Sequence, residues 1–391
     1  MAPLAQARDL IGTGPTTARN YCERMSSASG WVPVIDLHEP DAAAAIGAAC
    51  ERVGFLTIVN HEVPAPIVEA AWATARSFFD MSLDDKLAVA MPYPGYPYGY
   101  SPLAGETLAK SLGNGGAPDL KESFAIGPVV RPTHTITDPD EAFAWSQNLW
   151  PAMLPAMEPA WSNYFLALSD LAARLLRLMA NGLGLAEDHF APMIERHTSA
   201  MRALNYPPRG TAGTVAEGQF GAGAHTDYGT LTILLADPDQ GGLQVQGPGG
   251  EWHDVDAEPG SFVVNLGDAM ARWTNDRWRS TMHRVQVPAG RRQSIAFFHN
   301  ANWDAVIECL PTCLAAGEQP RYEPIEAGPH LMQKFQATVN RVRAGSVRFA
   351  FEDAPDDAII VSADGSVDIP PQQRHHVEPA DDAVFVVKFH R

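Results

Sequence analysis

The triplet His225-Thr226-Asp227 sets an imidazole and a carboxylate two positions apart. It follows a glycine-rich loop (Gly218, Gly221, Gly223) and precedes the apolar run from Thr230 to Ala236. That run is rich in threonine and branched aliphatics, which predicts a β-strand beginning at or near His225. Residues i and i+2 of a strand share a face, so His225 and Asp227 are expected to project together and Thr226 away. On a helix the same pair would diverge by roughly 200°. An imidazole and a carboxylate side by side on fixed backbone are two of the three ligands of a facial metal site.

The third ligand has to come from elsewhere among thirteen histidines. His283 stands on a strand-like segment, Met282 to Val287, within the same β-rich region. His375 and His376 are adjacent, so on a strand they point apart and cannot both serve one site. His253, His299 and His330 read as structural. Two histidines and one carboxylate on one face of a metal leave positions open for reactants, the ligand pattern of non-haem iron(II) oxygenases. Beyond His283, Arg292 and Ser294 share a strand face by the same period of two. A guanidinium beside a hydroxyl is suited to hold a carboxylate through charge-assisted hydrogen bonds.

The elements that must position these groups can be followed along the chain. Val32–Leu37 and Phe55–Val59 read as strands. Ala42–Arg52 reads as a helix stopped by Gly54, and a second helix opens at Pro64 and runs to about Phe79. Residues 91–104 are dense in proline, glycine and tyrosine (Tyr93, Tyr96, Tyr98, Tyr100), which predicts an ordered loop or flap. A helical pattern spans about Asp138 to Leu185, with breaks expected near Pro151, Pro155 and Pro159. After Thr198 short strands recur with turn signals between them, the pattern of a sandwich or barrel. Two strand-like runs around Asp364-Gly365 predict a hairpin, and Ala383–Phe389 a further strand. Tyr98, Tyr100, Phe124, Leu234 and Phe298 are candidates for the substrate-facing wall.

The balance of 28 basic against 46 acidic residues gives a net charge of −18, which argues against a nucleic-acid or anionic-membrane surface. No run approaches the roughly 20 apolar residues of a spanning helix, so no membrane partner is expected. Met1 to about Gly30 lacks an apolar secretory core and reads as a loosely ordered lead-in. Four scattered cysteines fit a reducing cytoplasm, and Cys309 and Cys313, separated by Pro311, make a poor start for a zinc site.

His225-Thr-Asp227, His283 and Arg292-Gln-Ser294 in this order resemble the iron(II)/2-oxoglutarate-dependent dioxygenases of the isopenicillin N synthase-like branch. Leu204-Asn-Tyr-Pro-Pro208, Gly242–Val245, Asn265-Leu-Gly-Asp268, Trp273-Thr-Asn275 and the N-terminal Val34–Leu37, Gly54-Phe55 and Asn60-His61 extend the likeness over residues 31–340. The resemblance implies an α+β fold with a mainly-β core: a double-stranded β-helix (jelly roll, cupin-like) buttressed by N-terminal and long central helices. It divides the chain into a lead-in (1–30), an α/β support region (31–190), a catalytic jelly roll (198–345) and a C-terminal β extension (346–391). It implies iron(II) on His225, Asp227 and His283, and 2-oxoglutarate on Arg292 and Ser294 with Tyr206 assisting. O2 is the other co-substrate, and the expected reaction is oxidation, foremost hydroxylation, of a small molecule in specialised metabolism. Relatives that halogenate lack the carboxylate, so Asp227 points to oxygenation. Two alternatives are an oxidase of the same branch that does not use 2-oxoglutarate and a non-catalytic ligand-binding relative. The oligomeric state and the substrate's identity do not follow from the sequence.

Overall fold

In the computed structural model the described residues are 30–92, 96–103, 105, 118–210, 215, 218–336, 342–351, 354–362 and 375–385. The expected lead-in (apart from Gly30), Tyr93 and the expected turn at Asp364-Gly365 lie outside them. The first part runs β1 (Val34–Asp36), α1 (Ala42–Arg52), β2 (Phe55–Val59), α2 (Ala65–Phe79), α3 (Leu83–Leu87), β3 (Gly99–Ser101), β4 (Glu122–Ile126), α4 (Pro139–Ala144), α5 (Met157–Gly182) and α6 (Ala191–Ile194). There follow β5 (Ala200–Tyr206), β6 (Ala222–His225), β7 (Leu231–Ala236), β8 (Leu243–Gln246), β9 (Trp252–Asp254) and β10 (Phe262–Leu266). Next come α7 (Asp268–Trp273), β11 (His283–Val285), β12 (Arg292–His299), β13 (Val306–Ile307), β14 (Ile325–Glu326) and α8 (Ala327–Gln336). The chain closes with β15 (Val342–Phe351), β16 (Ala354–Ser362) and β17 (His375–Phe385), which form a three-stranded antiparallel sheet in the order β16-β15-β17.

Two sheets make the jelly roll. The larger has the order β1-β2-β10-β7-β12-β5-β4-β3 and the smaller β6-β11-β8-β9. Period-two alternation divides the larger sheet into two apolar faces. One set, including Leu56, Ile58, Phe124, Ile126, Met201, Ala203, Ile233, Val264, Ile295 and Phe297, packs against the helices. The other set, Phe55, Leu204, Tyr206, Val263 and Ala296, meets Ala222, Leu243, Val245 and Val285 of the smaller sheet. The functional groups lie on this inner side.

The main buttress is α5. Its buried residues Met157, Trp161, Tyr164, Phe165, Leu168, Leu171, Ala172, Leu175, Leu176, Met179 and Ala180 recur at helical spacing and form one stripe against the outer face. The break expected at Pro159 does not occur. Pro159 falls in the first turn of α5, where a missing N–H has no intrahelical acceptor to lose.

Candidate active site

His225 and Asp227 do not share a strand. His225 is the last residue of β6 in the smaller sheet, and Asp227 lies in the connection to β7, which belongs to the larger sheet. The expectation of one continuous strand fails because the chain changes sheets between them. Gly229 lies in that connection, so close to His299 O and the Asn300 side chain that a Cβ there would sit 2.4 Å from each. Even so the two side chains converge with His283, at the start of β11. His225 Nε2 and His283 Nε2 lie 3.8 and 3.7 Å from Asp227 Oδ1. One ligand atom from each of the three falls within 4.8 Å of the others, the one such His/Cys/Asp/Glu group among the described residues.

Backbone and neighbours fix each ligand's orientation. His225 Nδ1 donates to Gly223 O at 2.7 Å and His283 Nδ1 to Thr281 O at 3.1 Å. A carbonyl can only accept, so Nδ1 carries the proton and the Nε2 lone pairs turn toward Asp227, the tautomer a metal requires. Asp227 Oδ2 accepts from Thr232 Oγ1 (2.5 Å) and Asn265 Nδ2 (2.7 Å), both from the larger sheet, while Oδ1 faces the imidazoles. The Asp268 N–H, at the start of α7, donates to the Asp227 carbonyl (2.8 Å). Burial would raise the Asp227 carboxyl, but His283, His225 and the bonds from Asn265 and Thr232 outweigh it and hold the group below its usual range. Burial, with His283 beside it, pushes His225 down to about 4. A buried anion faced by two imidazole nitrogens suits a divalent cation better than a proton.

Behind His225 lies a feature that spacing alone does not reveal. Asp119 Oδ1 accepts from the Gly223 N–H (2.9 Å) and Asp119 Oδ2 from Lys121 Nζ (2.7 Å), both side chains being almost fully buried. The ion pair therefore clamps the glycine whose carbonyl orients His225.

Arg292 is 1% exposed and lies face-on to the Tyr206 ring, with the guanidinium carbon 4.9 Å from its centre. These two residues are opposite each other across the β12–β5 pair, and Ser294 is opposite Leu204 one same-face step along. Arg292 donates to Ser294 Oγ at 3.4 Å, while its buried Nε has no hydrogen-bond partner. A fully buried cation with an unused N–H is costly unless an anion completes it. A dicarboxylate reaching along the inner face from the three ligands fits that demand.

The candidate wall residues separate by face. Leu234 and Phe298 are half-buried against the inner cluster. Phe124 and Tyr100 belong to the opposite face: Phe124 is fully buried among Phe78, Trp161 and Trp150, and the Tyr100 hydroxyl donates to Glu122 (2.6 Å). Tyr98 is also buried, and its hydroxyl donates to Ala144 O (2.5 Å). These three do not line the space between the sheets. Strand register decides the matter, since Tyr100 is opposite Phe124 and Phe124 opposite Ala203, all on the helix side.

Residues 197–301 match the family model of the 2OG-Fe(II) oxygenase superfamily, and residues 32–153 that described as non-haem dioxygenase in morphine synthesis N-terminal. The chain is 35% identical over 300 residues to the 2-oxoglutarate-Fe(II) type oxidoreductase hxnY of Emericella nidulans, covering 76% of this chain and 84% of that protein. The chain belongs to the 2OG-Fe(II) oxygenase superfamily. A second relative of this oxygenase, validamycin A dioxygenase of Streptomyces hygroscopicus subsp. limoneus, is 31% identical over 78% of this chain and 86% of its own length. A full-length Neurospora crassa protein, solved in complex with alpha-KG (2-oxoglutarate), superposes with a TM-score of 0.68 at 31% identity, over 78% of this chain and 96% of that one. The protein is thus an iron(II)- and 2-oxoglutarate-dependent dioxygenase, and the reading as an oxidase without 2-oxoglutarate is the weaker one. Among the described residues no helix is long and apolar enough to cross a membrane.

Proposed function

We propose that His225, Asp227 and His283 hold the iron, that Arg292 and Ser294 with Tyr206 hold the far carboxylate of 2-oxoglutarate, and that the reaction is hydroxylation of a small molecule. The observation that carries this reading is one space between the two sheets that receives both a three-ligand cluster and a buried guanidinium with an unused N–H. When bound, iron(II) with 2-oxoglutarate supplies oxygen activation, coupled to decarboxylation of the keto acid to succinate and carbon dioxide.

The chain's own residues contribute placement and exclusion of water. Asp227 offers one oxygen and keeps the other engaged by Thr232 and Asn265, which fixes the carboxylate plane. The two imidazoles approach from the smaller sheet and the carboxylate is anchored on the larger, so both sheets must be in register for the site to exist. Arg292 neutralises the far end of the keto acid, and its stacking on Tyr206 limits the orientations it can take. Leu234, Val263, Ala296 and Phe298 make an apolar wall that keeps bulk water from the reacting carbon. Hydroxylase names recur among the relatives, which supports hydroxylation over other oxidations. The scattered thiols support action in a reducing cytoplasm, and relatives named validamycin A dioxygenase and proline hydroxylase support a role in specialised metabolism.

The test is direct. Purified protein is titrated with iron(II) without oxygen, then supplied with 2-oxoglutarate, air and a panel of small molecules while succinate is measured. One iron per chain and substrate-stimulated succinate are expected. Absence of iron binding, or succinate that no compound stimulates, would count against the reading.

A further inference from the structure

We propose that Asp268 is a positioning residue for the iron site, tying together the chain segments that carry all three ligands; this rests on the reading above. In the segment Asn265-Leu-Gly-Asp268, Asn265 holds the Asp227 carboxylate from β10, and Asp268 opens α7. The backbone there meets the connection that bears Asp227. The Gly267 N–H donates to Thr230 O (3.0 Å), the Asp268 N–H to Asp227 O (2.8 Å), and the Ala269 N–H to Gly229 O (3.1 Å) and Tyr228 O (3.2 Å). N–H groups at the start of a helix have no intrahelical acceptor, so the connection between the sheets serves as the cap of α7. Glycine is needed at 267 for this approach, since a Cβ there would sit 2.2 Å from Gly229 O.

The Asp268 side chain extends the same grip to the two histidines. Its Oδ1 accepts from Ser280 Oγ (2.6 Å), three residues ahead of His283. Its Oδ2 accepts from Thr226 Oγ1 (3.3 Å), which stands between His225 and Asp227, and from Lys334 Nζ (2.7 Å) on α8. Thr281, next to Ser280, offers the carbonyl that orients His283, so holding Ser280 limits how far that carbonyl can move.

A carboxylate in the first turn of a helix is favourable in any protein, but that role asks nothing of Ser280 or Thr226. The Lys334 side chain is 42% exposed, so its ion pair with Asp268 is worth little by itself. The hydroxyl and backbone ties are the ones that reach the ligands. Asp268 follows β10 of the larger sheet, whereas Ser280 leads into β11 of the smaller one. One carboxylate thus bridges the two sheets that must meet for the site to exist. Asn265 fixes the plane of a single ligand; Asp268 fixes the three relative to one another.

The experiment titrates full-length protein with cobalt(II) in the absence of oxygen. Cobalt(II) suits the same imidazole and carboxylate donors as iron(II), and its visible d–d bands follow the angles between its ligands. Asp268→Ala is expected to lower cobalt affinity by about 10- to 100-fold, the range for losing a residue that supports metal ligands. Its bands at saturating metal should also differ from those of wild type. Asp268→Asn is expected to restore the wild-type bands and an affinity within about fivefold of wild type. An amide keeps an acceptor for Thr226 and Lys334, and the Ser280 hydroxyl can turn to accept from its NH2 group. Ser280→Ala, which leaves the charge and α7 in place, is expected to weaken cobalt by about 2- to 10-fold. Cobalt affinity at the wild-type level in either alanine variant would overturn the proposal, as would unchanged bands in Asp268→Ala. Equal losses in Asp268→Ala and Asp268→Asn would also overturn it, by making Asp268 a charge that attracts the cation rather than a tie. Should Asp268→Ala fail to fold, Ser280→Ala decides alone. Failure of the wild type to bind cobalt appears before any variant is compared and would sink the parent reading.

Discussion

His283 lies directly opposite His225 across the antiparallel β6–β11 pair, with ring centres 4.3 Å apart. The register of two short strands, rather than any local motif, thus brings these imidazoles to one side of Asp227. Each already uses Nδ1 on a backbone carbonyl, which leaves Nε2 as the nitrogen facing Asp227. His225→Ala and His283→Ala are each expected to abolish stoichiometric iron binding while leaving the far-ultraviolet spectrum unchanged. Anaerobic iron titration of the two variants checks this, and tight iron binding by either would remove that residue from the site.

Arg292→Ala is expected to weaken 2-oxoglutarate by roughly 10- to 100-fold or more, the range for losing hydrogen bonds to a charged group. Ser294→Ala should cost less, because it removes one hydroxyl and leaves the guanidinium in place. Iron binding should be unaffected in both. The 2-oxoglutarate dependence of succinate formation gives the comparison, and an unchanged half-saturation in Arg292→Ala would remove Arg292 from the co-substrate site.

That His225, Asp227 and His283 belong together, and that Arg292 and Ser294 share a strand face, was legible in the sequence because residue type and order carry it. The strands and the long central helix were legible because their periodicities are strong. Sequence could not say that His225 and Asp227 belong to different sheets, because a change of sheet leaves no mark on a run of strand-forming residues. Nor could it assign Phe124 and Tyr100 to the outer face, since in a strand buried on both sides the alternation of apolar and polar residues disappears. The Asp119–Lys121 clamp was hidden for another reason: its target is a backbone N–H, which every residue but proline possesses.

Asn265→Ala tests the support of Asp227. With Asn265 gone, Oδ2 keeps Thr232 alone and the carboxylate plane is free to turn. Loss of such a partner typically costs about 10- to 100-fold in metal affinity or activity. We expect iron affinity to fall within that range, with 2-oxoglutarate affinity unchanged once iron is saturating. Equal iron affinities in variant and wild type would show that Thr232 suffices.

Gly54 is needed for a reason that couples stability to the site. Its φ of +72° is left-handed, and a Cβ there would sit 2.1 Å from Arg279 O. That stretch also holds Thr281, whose hydroxyl donates to Val53 O (2.6 Å) and whose carbonyl orients His283. Gly54→Ala is expected to destabilise by more than about 2 kcal/mol, combining strain with displacement of the segment. Gly184 has a similar φ of +71° but open space around it, so Gly184→Ala should cost only about 1 kcal/mol. Urea unfolding of the pair separates conformational strain from collision. Equal losses would mean that contact with Arg279 contributes nothing.

Acid sensitivity should arise away from the metal as well. His197 is packed among Phe165, Phe297 and His299, its ring centre 5.1 Å from that of His299. Burial pushes His197 down to about 4 from an ordinary value of 6.5, and His299 is lowered as well, by burial first and by His197 second. Above pH 6.5 both folded and unfolded chains hold His197 neutral, so it contributes no pH dependence there. As pH falls from 6.5 toward 4 the unfolded chain takes up a proton that the folded one excludes, and stability is lost through that window. At pH 5 the loss from this one residue is about 1–2 kcal/mol. His197→Phe keeps a ring between Phe165 and Phe297 and removes the titration. The difference in unfolding free energy between pH 7 and pH 5 should therefore shrink by about that amount relative to wild type. Parallel pH profiles for the two proteins would show that His197 is not a source of the sensitivity.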